Sequence, residues 1–254
     1  LLIRAEDGHQ VNVMGKAIKG GWYASRFRSV EKGGLPAKMV VDPKEDETTP
    51  VSATTCDYWT DKDSEHLWSI PFHPFTRLFD LEDHVNVRAH INNLSAYKYD
   101  KNVGSKLVLD AEFKELLEIL VAHATDSFVD IVSGKEGGSI VLLAGPPGVG
   151  KTLTAEVYSE VMGRPLYRVQ SSQLGITVQA LEDELKTVLK RAEKWGAILL
   201  IDEADVYVRS RGIDIEQNAI VGVFLRVLEY YRGVLFMTTN MGTTIDDAII
   251  SRVT

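Results

Sequence analysis

The sequence predicts an α/β fold, a parallel sheet flanked by helices, preceded by a smaller β-rich module. Three observations support it. Beyond Asp110, short apolar runs alternate with segments of helical period, as expected of strands connected through helices. Residues 145–152 form a glycine-rich turn of pattern G-x-x-x-x-G-K-T that joins one apolar run to one such segment. The first hundred residues have a different texture, with strand-like alternation broken by Gly20-Gly21 and Gly33-Gly34-Leu35-Pro36. The expected division is 1–100 for the β-rich module and 101–254 for the α/β core.

In chain order, Leu2 to Val13 reads as a hairpin turning at Asp7-Gly8, and Asp42 to Pro50 as an acidic, polar loop. Residues 66–70 and 84–88 alternate in strand fashion on either side of Pro71 and Pro74. From Asp110 the period becomes helical, with Phe113, Leu116, Leu117, Leu120 and Val121 on one face. Ser139 to Ala144 is a short apolar run, expected to be a strand buried on both faces. After the turn, Leu153, Val157 and Val161 recur at helical spacing until Gly163, with Pro165 just beyond. Further strands are expected at 166–169, 197–201 and 234–238, and helices at 178–195 and 215–231. Gly196 and Gly233 each follow a helix and read as C-terminal caps. Such alternation implies parallel strands and right-handed crossovers.

The glycine-rich turn has a chemistry. Glycines let a loop wrap with its N–H groups facing an anion, and the following helix adds its positive end. Gly145, Pro146, Pro147, Gly148, Val149, Gly150, Lys151, Thr152 and Leu153 are therefore the expected nucleotide-binding segment. Lys151 reaches the β and γ phosphates, and the Thr152 hydroxyl ligates Mg²⁺. A second site follows about fifty residues later, where the apolar run ending at Ile201 closes in Asp202-Glu203-Ala204-Asp205. Acidic residues at the carboxyl end of a parallel strand face the crevice where such sheets bind ligands. Asp202 is expected to orient the Mg²⁺ shell, making Thr152 and Asp202 the metal residues, and Glu203 to polarise the attacking water.

With Asn240 closing the run Val234-Leu235-Phe236-Met237-Thr238-Thr239, these motifs resemble the AAA+ ATPases, a branch of the P-loop NTPases. GPPGVGKT resembles the family's Walker A, ILLIDEAD its Walker B, and Asn240 its sensor 1. More narrowly, KLVLDAEFKELLEIL, RPLYRVQSSQLG and DDAIISR resemble an uncharacterised AAA-type group found in fungi and bacteria, with a less regular N-terminal region. The resemblance implies Mg²⁺-dependent ATP hydrolysis coupled to remodelling of a macromolecular partner. It implies catalytic roles for Glu203, Lys151, Asn240 and Arg252, the last reaching into the next subunit of a homo-oligomer, a hexamer in most members. It places adenine near Asp130-Ile131-Val132. It also implies a helical lid beyond the core, and the sequence is expected to stop at Thr254 before that lid. One departure matters: residues 171–177, where protein-threading members carry an aromatic, read Ser-Ser-Gln-Leu-Gly-Ile-Thr. Only Leu174 and Ile176 are left to grip a chain weakly. The alternative reading is a nucleotide-gated scaffold whose N-terminal module recognises a partner.

Composition narrows the partner and the compartment. The 254 residues carry a net charge of −8, which provides no electrostatic footprint for nonspecific nucleic-acid binding, so a protein client is favoured. The single cysteine, Cys56, forms no internal disulfide, pointing to the cytoplasm or another reducing intracellular compartment. No run approaches the roughly 18 apolar residues of a membrane span, and no signal peptide is visible. The pairs His66/His73 and His84/His90 lack helical i,i+4 ligand spacing, which argues against zinc. Trp22-Tyr23 and Tyr97/Tyr99, with Lys98 as the single interleaved basic residue, read as packing residues rather than a base-stacking surface.

Overall fold

A computed structural model describes residues 10–13, 16–19, 26–29, 37–42, 75–108, 112–115, 117, 119, 138–175, 177–212, 214–240 and 245–253. The Asp7-Gly8 turn, Trp22-Tyr23, Cys56, His66, His73, residues 66–70, Asp130–Val132 and Ile176 lie outside the described residues. The chain divides into two compact units, Leu1–Tyr97 and Lys98–Thr254.

Among the described residues, the first unit is a seven-stranded antiparallel sheet. Its strands are β1 (Gln10–Val13), β2 (Lys16–Lys19), β3 (Arg26–Ser29), β4 (Ala37–Val41), β5 (Phe75–Asp80), β6 (Val85–His90) and β7 (Leu94–Ala96), in the order β3-β2-β6-β5-β4-β1-β7. Side chains alternate across a strand, so register decides which ones share a core. Val11 pairs with Met39, and Val41 with Leu78, which pairs in turn with Val87. These residues form one buried cluster with Val13 and Ala89. The β5–β6 turn rests on Asp80, whose Oδ1 accepts the N–H groups of Glu82 and Asp83 at 2.9 and 3.2 Å. His84, expected to begin the strand, instead closes this turn at φ 53°, and the strand runs from Val85 to His90.

The second unit contains four parallel strands, β8 (Ser139–Ala144), β9 (Leu166–Gln170), β10 (Ile198–Asp202) and β11 (Val234–Thr239), in the order β8-β11-β10-β9. Every residue of β10 and β11 is buried, as suits the centre of a sheet covered on both faces. On β8 only Ile140 and Val141 are buried, less than its apolar run suggests. β9 alternates, with Tyr167 and Val169 buried and Arg168 and Gln170 exposed.

Three long helices connect these strands. The helix Lys151–Met162 lays Ala155 and Tyr158 on Val141, Ile198, Leu200, Val234 and Phe236. Val157 is buried, but Leu153 is 53% exposed, so the inward face lies one step away from the expected one. The helix Val178–Trp195 starts at Thr177, whose side chain accepts the Ala180 N–H, and buries Leu181, Leu185, Val188, Leu189, Ala192 and Trp195 at spacings of three and four. The helix Ile215–Leu228 starts at Asp214, which accepts the N–H groups of Glu216 and Gln217, a cap worth about 1 kcal/mol. Residues 112–115 are helical, with Leu117 buried and Phe113 60% exposed, so Phe113 does not share the core face predicted for it.

Gly196 caps the second of these helices at φ 58°. Gly233 has a different role, because the third helix ends at Leu228. A Cβ there would lie 2.4 Å from Cζ of Tyr231, so glycine is required by the close approach of that ring.

Candidate nucleotide site

Strand parity builds the site. On β10, Ile198, Leu200 and Asp202 share one face, and on β11 so do Val234, Phe236 and Thr238, since side chains repeat every two residues. The apolar members of both sets pack under the helix Lys151–Met162. Asp202 and Thr238 therefore emerge on the same side, at the carboxyl ends of their strands, beside the first residues of that helix.

Residues 145–150 form the turn into the helix. Gly148 and Gly150 sit at φ 83° and 91°, a region strained for any residue with a Cβ. The Lys151 ammonium folds back over the turn, donating to the Gly145 and Pro146 carbonyls at 2.8 Å each and to Asn240 Oδ1 at 3.0 Å. All three acceptors are neutral, so an anion entering the turn competes only with neutral partners for this cation. Pro146, Pro147, Gly148 and Val149 are exposed, as is Leu153 on the first turn of the helix.

Thr152 and Asp202, the residues expected to hold a metal, converge on the same spot. Thr152 Oγ1 lies 3.2 Å from Asp202 Oδ1 and 3.4 Å from Oδ2. A hydroxyl and a buried carboxylate, side by side at a phosphate-type loop, fit a hard divalent cation that keeps part of its water shell. Among the described residues there is no group of three or more His, Cys, Asp or Glu side chains that could hold a metal ion.

Asp202 is only 6% exposed, and two side chains that the motif reading did not single out hold its charge. Thr238 Oγ1 donates to Oδ1 at 2.5 Å, and Arg168 Nη2 reaches Oδ2 at 2.5 Å. Burial raises the carboxyl pKa. The Thr238 hydrogen bond, the Arg168 charge and the Thr152 hydroxyl outweigh it and hold the group below the usual carboxylate range. Arg168 could have been suspected from sequence only as the polar member of an alternating strand.

Glu203 stands next in the chain and is exposed, at φ 57°. A non-glycine residue in this region costs on the order of 1–3 kcal/mol and persists only where its surroundings impose it. Thr238 imposes it: its Oγ1 accepts the Glu203 N–H at 3.0 Å and its carbonyl accepts the Ala204 N–H at 2.8 Å. Opposite parity sends Thr239 to the other face, where its hydroxyl donates to Asp205 Oδ1. That same oxygen accepts the Asn240 N–H at 2.9 Å. Asp205 thus anchors the strand end from which Asn240 reaches Lys151.

Arg252 stands apart from this cluster. It is exposed and donates to the Ala248 carbonyl of its own short helix, Asp247–Ile250, at 3.1 Å. Asp246 caps that helix by accepting the Ala248 N–H at 2.9 Å. The Asp246 carboxylate is also gripped by Arg211, at 2.9 Å from Nε and 3.2 Å from Nη2. The fork of Arg211 holds the Asp246 carboxyl below its usual range, against the opposing effect of burial.

The segment after β9 is a short turn, Ser171–Leu174. Tyr207 pins it by donating to the Ser171 and Gly175 carbonyls at 2.8 and 3.3 Å, and the Tyr207 ring stacks on Phe224 at 5.0 Å. Leu174 is fully buried. It belongs to the core and is not a gripping residue, contrary to the expectation from sequence.

Residues 141–254 match the model of the ATPase family associated with various cellular activities (AAA). An uncharacterized AAA family ATPase, y4kL, of Sinorhizobium fredii is 34% identical over 124 residues, covering 45% of this chain and 36% of that protein. The ATP-dependent zinc metalloprotease FtsH of Cyanidium caldarium is 30% identical over 155 residues, covering 55% of this chain and 24% of that protein. Lon protease of Frankia alni is 29% identical over 122 residues, covering 41% of this chain and 14% of its own length. The chain thus spans well under half the length of each of these relatives. No helix among the described residues is long and apolar enough to cross a membrane. Over residues 141–254 the chain is thus similar to the AAA family of ATPases.

Proposed function

We propose that the chain binds ATP with Mg²⁺ and hydrolyses it, coupling turnover to remodelling of a protein partner within a homo-oligomeric ring. The observation that supports this best is the convergence of Lys151, Thr152, Asp202 and Asn240 at one end of the sheet, with Glu203 beside them. In this reading the amides of residues 145–150 and the positive end of the helix Lys151–Met162 hold the β phosphate. Lys151 exchanges its neutral acceptors for β and γ phosphate oxygens, and Leu153 lies against the nucleotide. Thr152 and Asp202 hold Mg²⁺, which when bound neutralises charge on those oxygens. Glu203 accepts a proton from the attacking water, and the Asn240 amide positions that water or the γ phosphate. Arg252, exposed and outside its own subunit's cluster, serves the neighbouring subunit, and six subunits complete the ring. Adenine contacts are assigned to residues 130–132, and partner recognition to the β-rich module of residues 1–100. The compartment proposed is the cytoplasm or another reducing one.

Phosphate release and binding of a fluorescent ATP analogue test this reading together. Lys151→Ala should lose binding, because the lysine supplies ground-state charge. Glu203→Gln should keep binding and lose turnover, because the carboxylate acts only on water. Equal binding by Lys151→Ala and the unaltered chain would overturn the site. A pull-down with Glu203→Gln, in which bound ATP also traps the client, identifies the partner.

A second reading, a nucleotide-gated scaffold with little turnover, is favoured by one observation. Leu174 is buried in the turn where threading members expose a gripping residue. A partner that binds and releases with nucleotide but stays folded throughout would select it.

A further inference from the structure

Asp202 is a metal residue in the reading above, yet it already has a cation. Arg168 Nη2 lies 2.5 Å from its Oδ2, the same carboxylate whose other oxygen is 3.2 Å from the Thr152 hydroxyl. Arg168 comes from β9, which lies next to β10 with Arg168 in register with Leu200 and Gln170 in register with Asp202. Two-residue parity puts Arg168 on the Asp202 side of the sheet. Its side chain remains 45% exposed while the carboxylate it holds is 8% exposed. The guanidinium can therefore swing towards water, whereas the carboxylate cannot.

From this geometry we propose that Arg168 is a resident counter-ion of Asp202 which a divalent cation must displace, so that Arg168 sets how much Mg²⁺ the site requires. The proposal rests on the reading of Thr152 and Asp202 as the metal pair. A buried carboxylate without a cation is costly, and a monovalent guanidinium meets that need when no metal is bound. A second, doubly charged cation at the same carboxylate is repelled by the first until the guanidinium moves away. Arginine suits the role better than lysine, because its planar fork is weakly hydrated and leaves water readily for a carboxylate. Arg168 is thus a positioning residue acting through Asp202, without contact to the reacting atoms.

The test uses the whole chain and two substitutions, Arg168→Gln and Arg168→Lys, each checked for fold by circular dichroism. Binding of a fluorescent ATP analogue is measured across a Mg²⁺ titration. Bound Mn²⁺ is counted separately by electron paramagnetic resonance in the presence of a non-hydrolysable ATP analogue. Arg168→Gln should lower the half-saturating concentration of either metal by about tenfold, and Arg168→Lys, which keeps the charge, should lower it less. The double variant Arg168→Gln/Asp202→Asn should show no shift relative to Asp202→Asn alone. An unchanged or raised metal requirement in Arg168→Gln, with nucleotide binding intact, overturns the counter-ion role and leaves the nucleotide site standing. Absence of nucleotide binding by the unaltered chain at every Mg²⁺ concentration overturns both.

Discussion

The Thr238 hydroxyl donates to Asp202 Oδ1 at 2.5 Å. Through the same oxygen it accepts the Glu203 N–H at 3.0 Å. One side chain of the neighbouring strand thus holds Asp202, the proposed metal residue, by its charge and Glu203, the proposed water-activating residue, by its backbone. Thr238→Val keeps the shape and removes both bonds. A buried donor or acceptor left unpaired costs about 1–3 kcal/mol, so the melting temperature should fall. The Glu203 turn, no longer imposed, should relax. Turnover should drop by about tenfold or more, with ATP affinity nearly unchanged because Lys151 is untouched. Phosphate release and nucleotide titration check this, and unaltered turnover at saturating ATP would remove Thr238 from the mechanism.

Asn240 is held at its backbone by Asp205 and touches Lys151 with its side chain. Asn240→Ala should lower the turnover rate by about 10- to 100-fold and affinity much less, since Lys151 keeps its charge. Asp205→Asn should produce a weaker version of the same pattern, because it loosens the strand end rather than deleting the amide. If phosphate release by Asn240→Ala matches the unaltered chain, Asn240 is only a strand-end residue.

A pH dependence follows from the Arg211–Asp246 pair. The Asp246 carboxyl is depressed below its usual range in the folded chain, so the folded state favours its ionised form. That stability is present above the ordinary carboxylate pKa of about 4 and is lost as pH falls through the depressed folded value. Arg211→Gln should therefore melt lower than the unaltered chain at neutral pH, and the difference should close under acid conditions. Calorimetry at several pH values reads it. A constant difference down to acid pH would show that the pair does not govern the Asp246 proton.

Arg252 provides a test of assembly. Arg252→Ala and Glu203→Gln should each bind ATP and hydrolyse it poorly, the arginine loss costing on the order of 10³-fold. Mixed rings contain interfaces where an intact Glu203 faces an intact Arg252, and those should recover activity. Phosphate release is compared for each variant alone and after co-assembly, with sedimentation confirming mixed oligomers. Mixed rings without recovered activity, or full turnover by a dilute monomer, would refute action between subunits.

Local chemistry made much of the α/β core legible in the sequence. Glycines at 148 and 150 meet a left-handed backbone, and the runs at 198–202 and 234–239 are buried strands because they are apolar throughout. Acidic residues at the end of one run and a lysine at the start of one helix predict a phosphate and metal chemistry without any knowledge of neighbours. In the β-rich module the alternation at 84–88 predicts a strand, and the structure shifts it to Val85–His90, with His84 in the preceding turn. Only the tertiary structure decided what lies beside what. The order β8-β11-β10-β9 inserts β11 between the lysine-bearing loop and the acidic strand, which is why Thr238 meets Asp202 and Asn240 meets Lys151. Packing chose Ala155 and Tyr158 over Leu153 as the inward face of the first long helix, and it buried Leu174. In sequence Arg168 is only a polar residue inside the run 166–169, and the pairing of β9 with β10 brings it to Asp202. Side-chain period is written in consecutive residues, but strand neighbours, register and counter-ions are set by ladders and contacts between segments distant along the chain.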